Sequence, residues 1–404
     1  MLRRISWRNI WRNKGRSSVV IGAIALGIWS LIFTYAFMNS FLDGYIKNQI
    51  LYETSHIQIH NPEFKTDFEI KYTIENGDEM LKELQSSNDH KAIAHRSVSN
   101  GMIASPRKAR GIKINGIIPE EEMKLSNIDS FVSEGTFFEN VKRNPIVIGY
   151  RLAKKLKVKL RSKVVLTFQD INGDIVSGAF RICGIINSSS PTYNEMVVLV
   201  KMEDLNKLLG IGEEFHEIAM IEKEKVDEIQ IAEQLKIQYK NHQVEGWNDL
   251  APELEYFQKS SEGFLYVLQI IIMIALIFGI INTMLMSVLE RFKELGMLMA
   301  VGMNKWKVFF MIMMETLFLA LVGSPIGLLL AIITVVYLEQ YGIDLSAYSA
   351  SLESYGYDNV LYPYVKTSTY FQVIFGVFIT AILGAIYPAV KAVKLKPVDA
   401  LHKI

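Results

Sequence analysis

Long apolar runs without a charged residue constrain this chain of 404 residues more than any other feature. They occupy Ser17–Leu42, Gly263–Leu289, Thr316–Leu338 and Thr367–Val390. A helix needs roughly 20 apolar residues to cross a hydrocarbon core of about 30 Å, and each run is long enough. The sequence therefore predicts four membrane crossings, with a polar, soluble-looking segment between the first and the second.

The distribution of basic residues predicts the orientation, although the net charge of only +1 hides it. Basic residues gather before the first run, between the second and third, and after the fourth, whereas the loop 339–366 is mainly acidic. Short basic segments remain in the cytoplasm. Both termini and residues 290–307 are therefore expected inside. The basic residues are Arg3, Arg4, Arg8, Arg12, Lys14, Arg16, Arg291, Lys293, Lys305, Lys307, Lys391, Lys394, Lys396 and Lys403.

These patterns divide the chain into membrane helices and the segments that join them. Tryptophans and arginines alternate before the first run, which is typical of a helix lying in the headgroup plane. The first run is too long for the apolar region of a signal peptide, so an uncleaved signal-anchor is expected. The predicted segments are an amphipathic interfacial helix 1–16, membrane helices 17–42, 263–289, 308–338 and 367–390, an extracytoplasmic domain 43–262, a cytoplasmic segment 290–307, an extracytoplasmic loop 339–366 and a cytoplasmic tail 391–404.

The extracytoplasmic domain is predicted to be α/β, because strand and helix patterns alternate along it. Asn172-Gly173 between two apolar runs predicts a hairpin with a type I′ turn. Cys183 is the only cysteine, so an intrachain disulfide is excluded, and its apolar surroundings predict burial. Strands are predicted at 55–60, 112–118, 145–149, 164–168, 175–186, 196–200 and 217–221, and helices at 79–84, 151–157, 203–209 and 226–239.

The sequence gives no support for an enzyme. It lacks H-E-x-x-H, C-x-x-C, G-x-S-x-G and the Walker A pattern G-x-x-x-x-G-K-[ST], so the chain is not expected to hydrolyse ATP itself. His56 and His60 share one face of a predicted strand, and we interpret them as surface histidines rather than metal ligands. No metal and no nucleic-acid partner are expected.

The segment from Asn282 to Gly302 carries the most specific pattern, NTMLMSVLERFKELGMLMAVG. It resembles N…S-V-x-x-R-x-x-E-[IL]-G-x-L-x-A-x-G of ABC transporter permeases of the MacB/LolC/LolE class. Three further blocks are similar to this family, and together they span essentially the whole chain. They are WRNIWRNK at 7–14, IVIGYRLAKKL at 146–156, and Tyr387-Pro388-Ala389 with KPVDAL at 396–401.

Within the class, the chain looks closest to the lipoprotein-releasing LolC/LolE branch. The residues that indicate this are Thr54-Ser55-His56-Ile57-Gln58-Ile59-His60 and Met38-Asn39-Ser40-Phe41. Two segments depart from the pattern. Arg161-Ser162-Lys163 stands where the family usually has a Gly-Asp turn, so that turn must be built differently. The 170–174 hairpin is short where LolC-type subunits carry a longer hook for a periplasmic chaperone, which weakens the case for hand-off by this subunit.

The resemblance implies mechanotransmission. A cytoplasmic ATPase dimer, which binds ATP and Mg, would close and move the external domain through the membrane, and this chain would hold no cofactor itself. A second permease chain, identical or paralogous, would complete the transporter. Residues 290–307 would be the coupling helix, with Leu295, Leu298 and Met299 as an apolar stripe entering a groove on the ATPase. The coupling residues would be Glu290, Arg291, Glu294, Leu295, Gly296, Leu298, Met299 and Gly302.

Several membrane residues are singled out by chemistry. Polar Asn282 and Glu315 are costly in lipid, and for Glu315 a structural polar contact is favoured over gating. Gly323 and Gly327 have the small-xxx-small spacing that lets helices approach closely, with Pro325 between them. An amphiphilic substrate needs an apolar wall at the outer surface. The candidates for that wall are Phe33, Phe37, Met38, Phe41, Phe264 and Leu268.

The leading hypothesis is a permease that releases lipoproteins from the outer leaflet of the bacterial inner membrane, with its large domain in the periplasm. One alternative is a non-transporting mechanotransducer that regulates cell-wall hydrolysis, although such proteins tend to have smaller external domains. Another is a peptide or antibiotic exporter; MacB-type chains carry a fused ATPase ahead of the permease, and this sequence starts directly at the permease.

Overall fold

The computed structural model describes residues 2–87, 90–139, 141, 143–223, 226–349, 351–352, 357 and 359–394. The C-terminal KPVDAL motif, most of the predicted tail, and Glu353 and Asp358 of the acidic loop lie outside the described residues. The chain forms two compact units. The membrane unit comprises Met1–Leu42, Gln258–Leu345 and Val360–Ile404, and the inserted unit comprises Asp43–Phe257 and Ser346–Asn359.

The α-helices, in chain order, are α1 Leu2–Arg12, α2 Lys14–Gln49, α3 Phe64–Asp67, α4 Gly77–Ser86, α5 Pro119–Ser126, α6 Tyr150–Leu156, α7 Pro191–Met196, α8 Met202–Leu209, α9 Glu228–Gln238, α10 Trp247–Leu250, α11 Pro252–Glu290, α12 Phe292–Ala300, α13 Lys305–Tyr341 and α14 Thr367–Val393. The strands are β1 Ile57–His60, β2 His90–Ala104, β3 Ala109–Ile117, β4 Val132–Gly135, β5 Pro145–Gly149, β6 Lys163–Gln169, β7 Ile175–Ile186, β8 Val197–Lys201, β9 Glu217–Glu222, β10 Gln243–Gly246, β11 Ile343–Asp344 and β12 Val360–Leu361. Shorter π and 3₁₀ turns lie at Ile50–Thr54, Ile128–Phe131 and Ser346–Tyr348.

Helices long and apolar enough to cross a membrane form the core of the membrane unit. They are α2, α11, α13 and α14, whose most apolar windows have mean hydropathies of 2.1, 2.8, 2.5 and 2.3. The four predicted crossings are therefore confirmed. Their inward faces share one apolar core, in which Ile28 and Leu31 of α2 lie with Val308 of α13 and Val377 of α14.

The glycine spacing on α13 brings this helix against the backbone of α2. A Cβ atom on Gly327 would lie 2.6 Å from the carbonyl oxygen of Ala25, and one on Gly323 would lie 3.1 Å from that of Ile21. The predicted close approach at these two glycines is confirmed. It places α2 and α13 side by side, so a displacement of either helix must be shared by the other.

We expect Gly327→Val to destabilise the membrane unit by about 1–3 kcal/mol, because overpacking forces two backbones apart. The control is Gly22→Val on α2, since a Cβ atom there would have no neighbouring atom within 4 Å. Thermal unfolding of both purified variants in detergent checks the difference. Equal melting temperatures would show that the α2–α13 contact does not hold the unit together.

The inserted unit is built on a mixed ten-stranded sheet within the described residues, with the order β10-β1-β9-β2-β3-β8-β5-β7-β4 and with β6 paired to β2 and β7. Strand β3 runs parallel to β8, and β5 runs parallel to β7. The predicted α/β class is confirmed. Sequence patterns missed β4, β10 and the long central strand β2.

Two turns of the inserted unit differ from their sequence predictions. The 170–174 loop does close a hairpin between β6 and β7, but type I′ is wrong, because only Gly173 has positive φ, at 81°. Instead the Asp170 carboxylate accepts hydrogen bonds of 2.9 Å from the backbone of Asn172 and of Asp174. Where the family has a Gly-Asp turn, Arg161 itself adopts φ of 63°. Cys183 is buried, as predicted, but the prediction that His56 and His60 are surface histidines is wrong for His60, which is 2% exposed.

Candidate functional site

The candidate site is a cluster of charged and amide side chains in the membrane unit, where α1 and the start of α2 meet α12 and the adjoining ends of α11 and α13. We call it the α12 polar cluster. Its side chains surround a cavity of about 170 Å³. They belong to Asn9, Arg12, Asn13, Arg16, Glu290, Arg291, Glu294 and Glu315.

Helix α12 forms the segment predicted to be the coupling helix, and local backbone geometry separates it from its neighbours. Arg291 leaves helical geometry, with ψ of 17°, and so ends α11. Gly302 follows α12 with φ of 100°, a conformation that glycine adopts without strain. The Asn304 side chain then caps α13 by accepting a 3.0 Å hydrogen bond from the backbone of Trp306.

At the centre of the cluster, Arg291 forms an ion pair with Glu315. One guanidinium nitrogen donates to both carboxylate oxygens, at 2.9 and 3.1 Å, and the Asn9 amide donates a third hydrogen bond at 2.6 Å. Burial by itself would lower the pKa of Arg291. The attraction of the Glu315 carboxylate is stronger than this effect, so the pKa of Arg291 is raised. Glu315 thus makes a buried polar contact that joins α13 to the start of α12.

A second layer of ion pairs joins the N-terminal helices to α12 and to the end of α11. Arg12 donates to both oxygens of Glu294, at 2.6 and 2.8 Å, and lowers the pKa of that carboxyl. Arg16 forms a second ion pair, with one carboxylate oxygen of Glu290. Because Arg12 and Glu294 are about half exposed, this pair contributes little to stability by itself. Its importance lies in connecting helices that are distant in sequence.

Helix α1 is anchored to α13 by more than charge. The Ser6 hydroxyl donates a 3.1 Å hydrogen bond to the Met311 carbonyl, and the Ile10 side chain is buried in the apolar core. The opposite face leaves Trp7 and Trp11 exposed, in an edge-to-face contact at 6.0 Å. Sequence reasoning identified an amphipathic helix but missed this docking, together with the roles of Asn9, Arg12 and Arg16. Complementary charges in the 7–16 and 290–294 segments were the available signal.

The predicted apolar stripe of the coupling helix is wrong in one of its members. Leu295 is only 1% exposed, because it packs in the core of the membrane unit, and Gly296 beside it is buried as well. Leu298 and Met299 are half-buried against the same core. The face of this segment that is open to a partner carries Lys293, Met297, Ala300, Val301 and Gly302.

The residues predicted to form a substrate wall lie on two helices. On α2, Phe33 stacks on Trp29 with ring centroids 5.8 Å apart, and Phe37 stacks on Phe41 at 6.0 Å. Phe33 and Phe37 are 6.5 Å apart, so these rings form one half-buried ladder with an i, i+4 spacing. Met38 packs against the core. Phe264 is exposed on α11, Leu268 is half-buried there, and Asn282 also lies on the exposed surface of α11.

The helices, the inserted α/β domain and the position of α12 together define a membrane permease with an external domain. The family model of the MacB-like periplasmic core domain matches residues 17–237, and that of the FtsX-like permease C-terminal region matches residues 266–397. The chain belongs to this family, the ABC transporter permeases of the MacB/LolC/LolE class. It is a membrane protein with a periplasmic domain.

Relatives of this class align over very different lengths. A lipoprotein-releasing system transmembrane protein LolE of Haemophilus influenzae is 23% identical over 430 residues, covering 98% of each chain. An uncharacterised ABC transporter permease of Methanocaldococcus jannaschii is 25% identical over 67% of this chain and 65% of its own. A macrolide export protein MacB of Chlorobium luteolum is 32% identical, but over 31% of this chain and 16% of its own.

Solved structures of isolated external domains also align. The extracellular domain of the transporter YknZ from Gram-positive bacteria matches with a TM-score of 0.32 and 17% identity, over 47% of this chain and 99% of its own. The periplasmic region of MacB from Actinobacillus actinomycetemcomitans matches with a TM-score of 0.35 and 14% identity, over 52% of this chain and 97% of its own.

Proposed function

We propose that this permease transmits the motion of a separate cytoplasmic ATPase dimer, which binds ATP and Mg, to its periplasmic domain, and that it thereby releases lipoproteins from the outer leaflet of the bacterial inner membrane. The α12 polar cluster is the observation that carries the transmission step. A partner that engages the exposed face of α12 would move α13 through the Arg291–Glu315 pair. It would move α1 and α2 through Arg12–Glu294 and Arg16–Glu290.

The lipoprotein assignment is supported by one comparison and one structural feature. The LolE relative covers nearly the whole chain, whereas the MacB relatives align over less than a third of it. The aromatic ladder on α2 offers apolar surface at which an acyl chain gains about 0.8 kcal/mol for each buried CH₂ group. Export of a macrolide-like compound is the second candidate, because the MacB relatives show the higher identity over their shorter alignment.

A second permease chain, identical or paralogous, would cover α11. Only 17% of the most apolar window of α11 is buried, against 39–44% for the other three membrane helices. Asn282 is exposed on this helix, and an amide facing lipid is costly unless another helix supplies a hydrogen-bond partner. One chain therefore presents an incomplete helix bundle that a second chain would complete.

Photo-crosslinking tests the substrate. A crosslinker at Phe37, within the ladder, is expected to capture a lipid-modified protein in cells, because the acyl chains would lie against these rings. The control position is Phe375, which is exposed on α14 and should capture phospholipid only. Capture of a second permease chain at position 37, with no lipoprotein under any nucleotide condition, would favour the mechanotransducer instead.

A charge swap tests the transmission step. Glu294→Arg is expected to lower substrate-stimulated ATPase activity of the purified complex about tenfold, because it places like charges beside Arg12 and Arg291 and opposes docking of α1. The double variant Arg12→Glu/Glu294→Arg restores the pair and should regain much of the activity. If the single variant couples normally, or the swap rescues nothing, the Arg12–Glu294 contact has no part in transmission.

A further inference from the structure

The inserted domain contains a cavity of about 350 Å³. Its floor is polar, although it is formed by the central sheet. The floor comes from five neighbouring strands: β1, β9, β2, β3 and β8. Aromatic rings of Tyr52, Phe64, Phe68 and Tyr193 stand around it. The polar floor residues are Gln58, His60, Lys113, Asn115 and Glu217.

A row of cross-strand neighbours organises this floor. His60 of β1, Glu217 of β9 and Arg96 of β2 lie directly opposite one another in the strand register. Arg96 donates to one oxygen of Glu217 at 2.8 Å. The other oxygen of Glu217 lies 3.9 Å from the Lys113 nitrogen and 4.0 Å from His60, outside ordinary hydrogen-bond range. The floor therefore holds a buried carboxylate oxygen with capacity to accept.

Asn115 adds a second acceptor. Asn115 is only 5% exposed, and it lines the cavity. Within the described part of the chain, its Oδ1 atom has no hydrogen-bond partner. The hydroxyl oxygen of Thr54, at the wall, is likewise without a partner among these residues. A buried acceptor left unsatisfied costs about 1–3 kcal/mol. Both atoms would be satisfied by a guest that donates hydrogen bonds.

The charges around the cavity indicate the sign of that guest. Glu53, Glu217 and Glu253 line it, against Lys65 and Lys113. Lys65 is already bound to Glu245 at 2.5 Å, so its charge is balanced by a carboxylate that does not line the cavity. Burial raises the pKa of Glu53, so a nearby cation would favour its ionised form. Arg96 balances Glu217, so Glu53 and Glu253 are left against Lys113 alone, and this excess of carboxylates favours a positively charged donor.

We propose that this cavity binds a primary ammonium group on a short aliphatic chain, either a free amine or the lysine side chain of a peptide. Asn115, Glu53 and the oxygen of Glu217 that Arg96 does not contact would accept its hydrogen bonds. The rings of Tyr52 and Phe68, which line the cavity, would cover the chain and attract the cation through their π faces. This ligand site does not depend on which substrate the permease moves.

Isothermal titration of the full-length permease in lipid nanodiscs tests this site with three probes of matched length. We expect 1,5-diaminopentane or N-acetyl-lysine methylamide to bind, and the neutral 1,5-pentanediol not to bind. Tighter binding of the diamine identifies a free amine as the ligand, and tighter binding of the lysine derivative identifies a peptide. Equal heats from the diol and the amines, or no amine binding up to millimolar concentration, would overturn the proposal.

Variants locate the binding within the cavity. Asn115→Leu is expected to weaken amine binding about tenfold, because an acceptor is lost from the floor. Glu253→Gln changes an exposed rim residue and should weaken it about threefold without affecting folding. Glu79→Gln, an exposed change on α4, is the control and should bind normally. Amine binding that survives both Asn115→Leu and Glu253→Gln unchanged would exclude this cavity as the site.

Discussion

Replacing Glu315 with leucine should abolish most of the coupling between ATP hydrolysis and substrate movement, and it should destabilise the membrane unit by about 3–5 kcal/mol. The reason is that Arg291 would remain largely buried without the carboxylate that balances its charge, and Asn9 would lose its acceptor. Thermal unfolding and substrate-stimulated ATPase activity of the purified complex measure the two effects. The exposed change Lys293→Ala, on the open face of α12, is the control for stability.

A double variant separates folding from transmission. Leucine at both Arg291 and Glu315 removes the two charges together, and an apolar pair in such a place is often as stable as the ion pair it replaces. We therefore expect stability to recover while stimulated activity stays low. Normal coupling in the stable double variant would show that the ion pair serves packing alone.

Replacing Arg96 with methionine should destabilise the inserted domain by a similar amount, about 3–5 kcal/mol or more. Arg96 lies between Glu122, which it contacts at 2.7 and 2.9 Å, and Glu217. Both carboxylates are at most 2% exposed, so the variant would bury two negative charges without their partner. Protease resistance of the domain in the full-length protein measures the loss. Arg110→Met, exposed on β3, is the control and should be neutral.

The pH dependence of the same domain follows from this cluster. Burial alone would raise the pKa of Glu217, but Lys113 and Arg96 outweigh it and hold the pKa at about 2, below its ordinary value of 4.5. Burial lowers the pKa of His60 to about 4 from 6.5. Both groups bind fewer protons when folded, so stability is full near neutral pH and falls on acidification. The loss attributable to His60 begins below about pH 6.5, and that of Glu217 below about pH 4.5.

The membrane helices were predictable because a helix that crosses lipid needs about 20 apolar residues in a row, which leave a clear signal in sequence. The inserted strands were predictable where they are apolar, as in Pro145–Gly149. Strand β2 was missed because its central positions carry buried polar residues, among them Arg96, Ser97 and Ser99. Such residues look like a loop in sequence, and the burial of Arg96 is explained only by its partners Glu217 and Glu122 on a distant strand and helix.

The candidate site was predictable in part. The family motif pointed to Glu290, Arg291 and Glu294, and lipid chemistry pointed to Glu315. No local rule joins these residues to Asn9 or Arg12, which lie 306 and 282 positions away from Glu315 and Glu294. The prediction that an apolar stripe through Leu295 enters a groove on the ATPase was wrong for a related reason. Helical periodicity identifies an apolar face, but it does not say whether that face packs on the chain's own core or on a partner.

The most direct test of ATP-driven lipoprotein release is reconstitution of this permease with its partner ATPase and a fluorescent lipoprotein in proteoliposomes. On addition of ATP and Mg, the lipoprotein should leave the vesicle fraction, whereas a non-hydrolysable nucleotide or the Glu315→Leu permease should leave it in place. Lipoprotein that stays bound to the vesicles while the wild-type complex hydrolyses ATP at its full rate would contradict the proposed function.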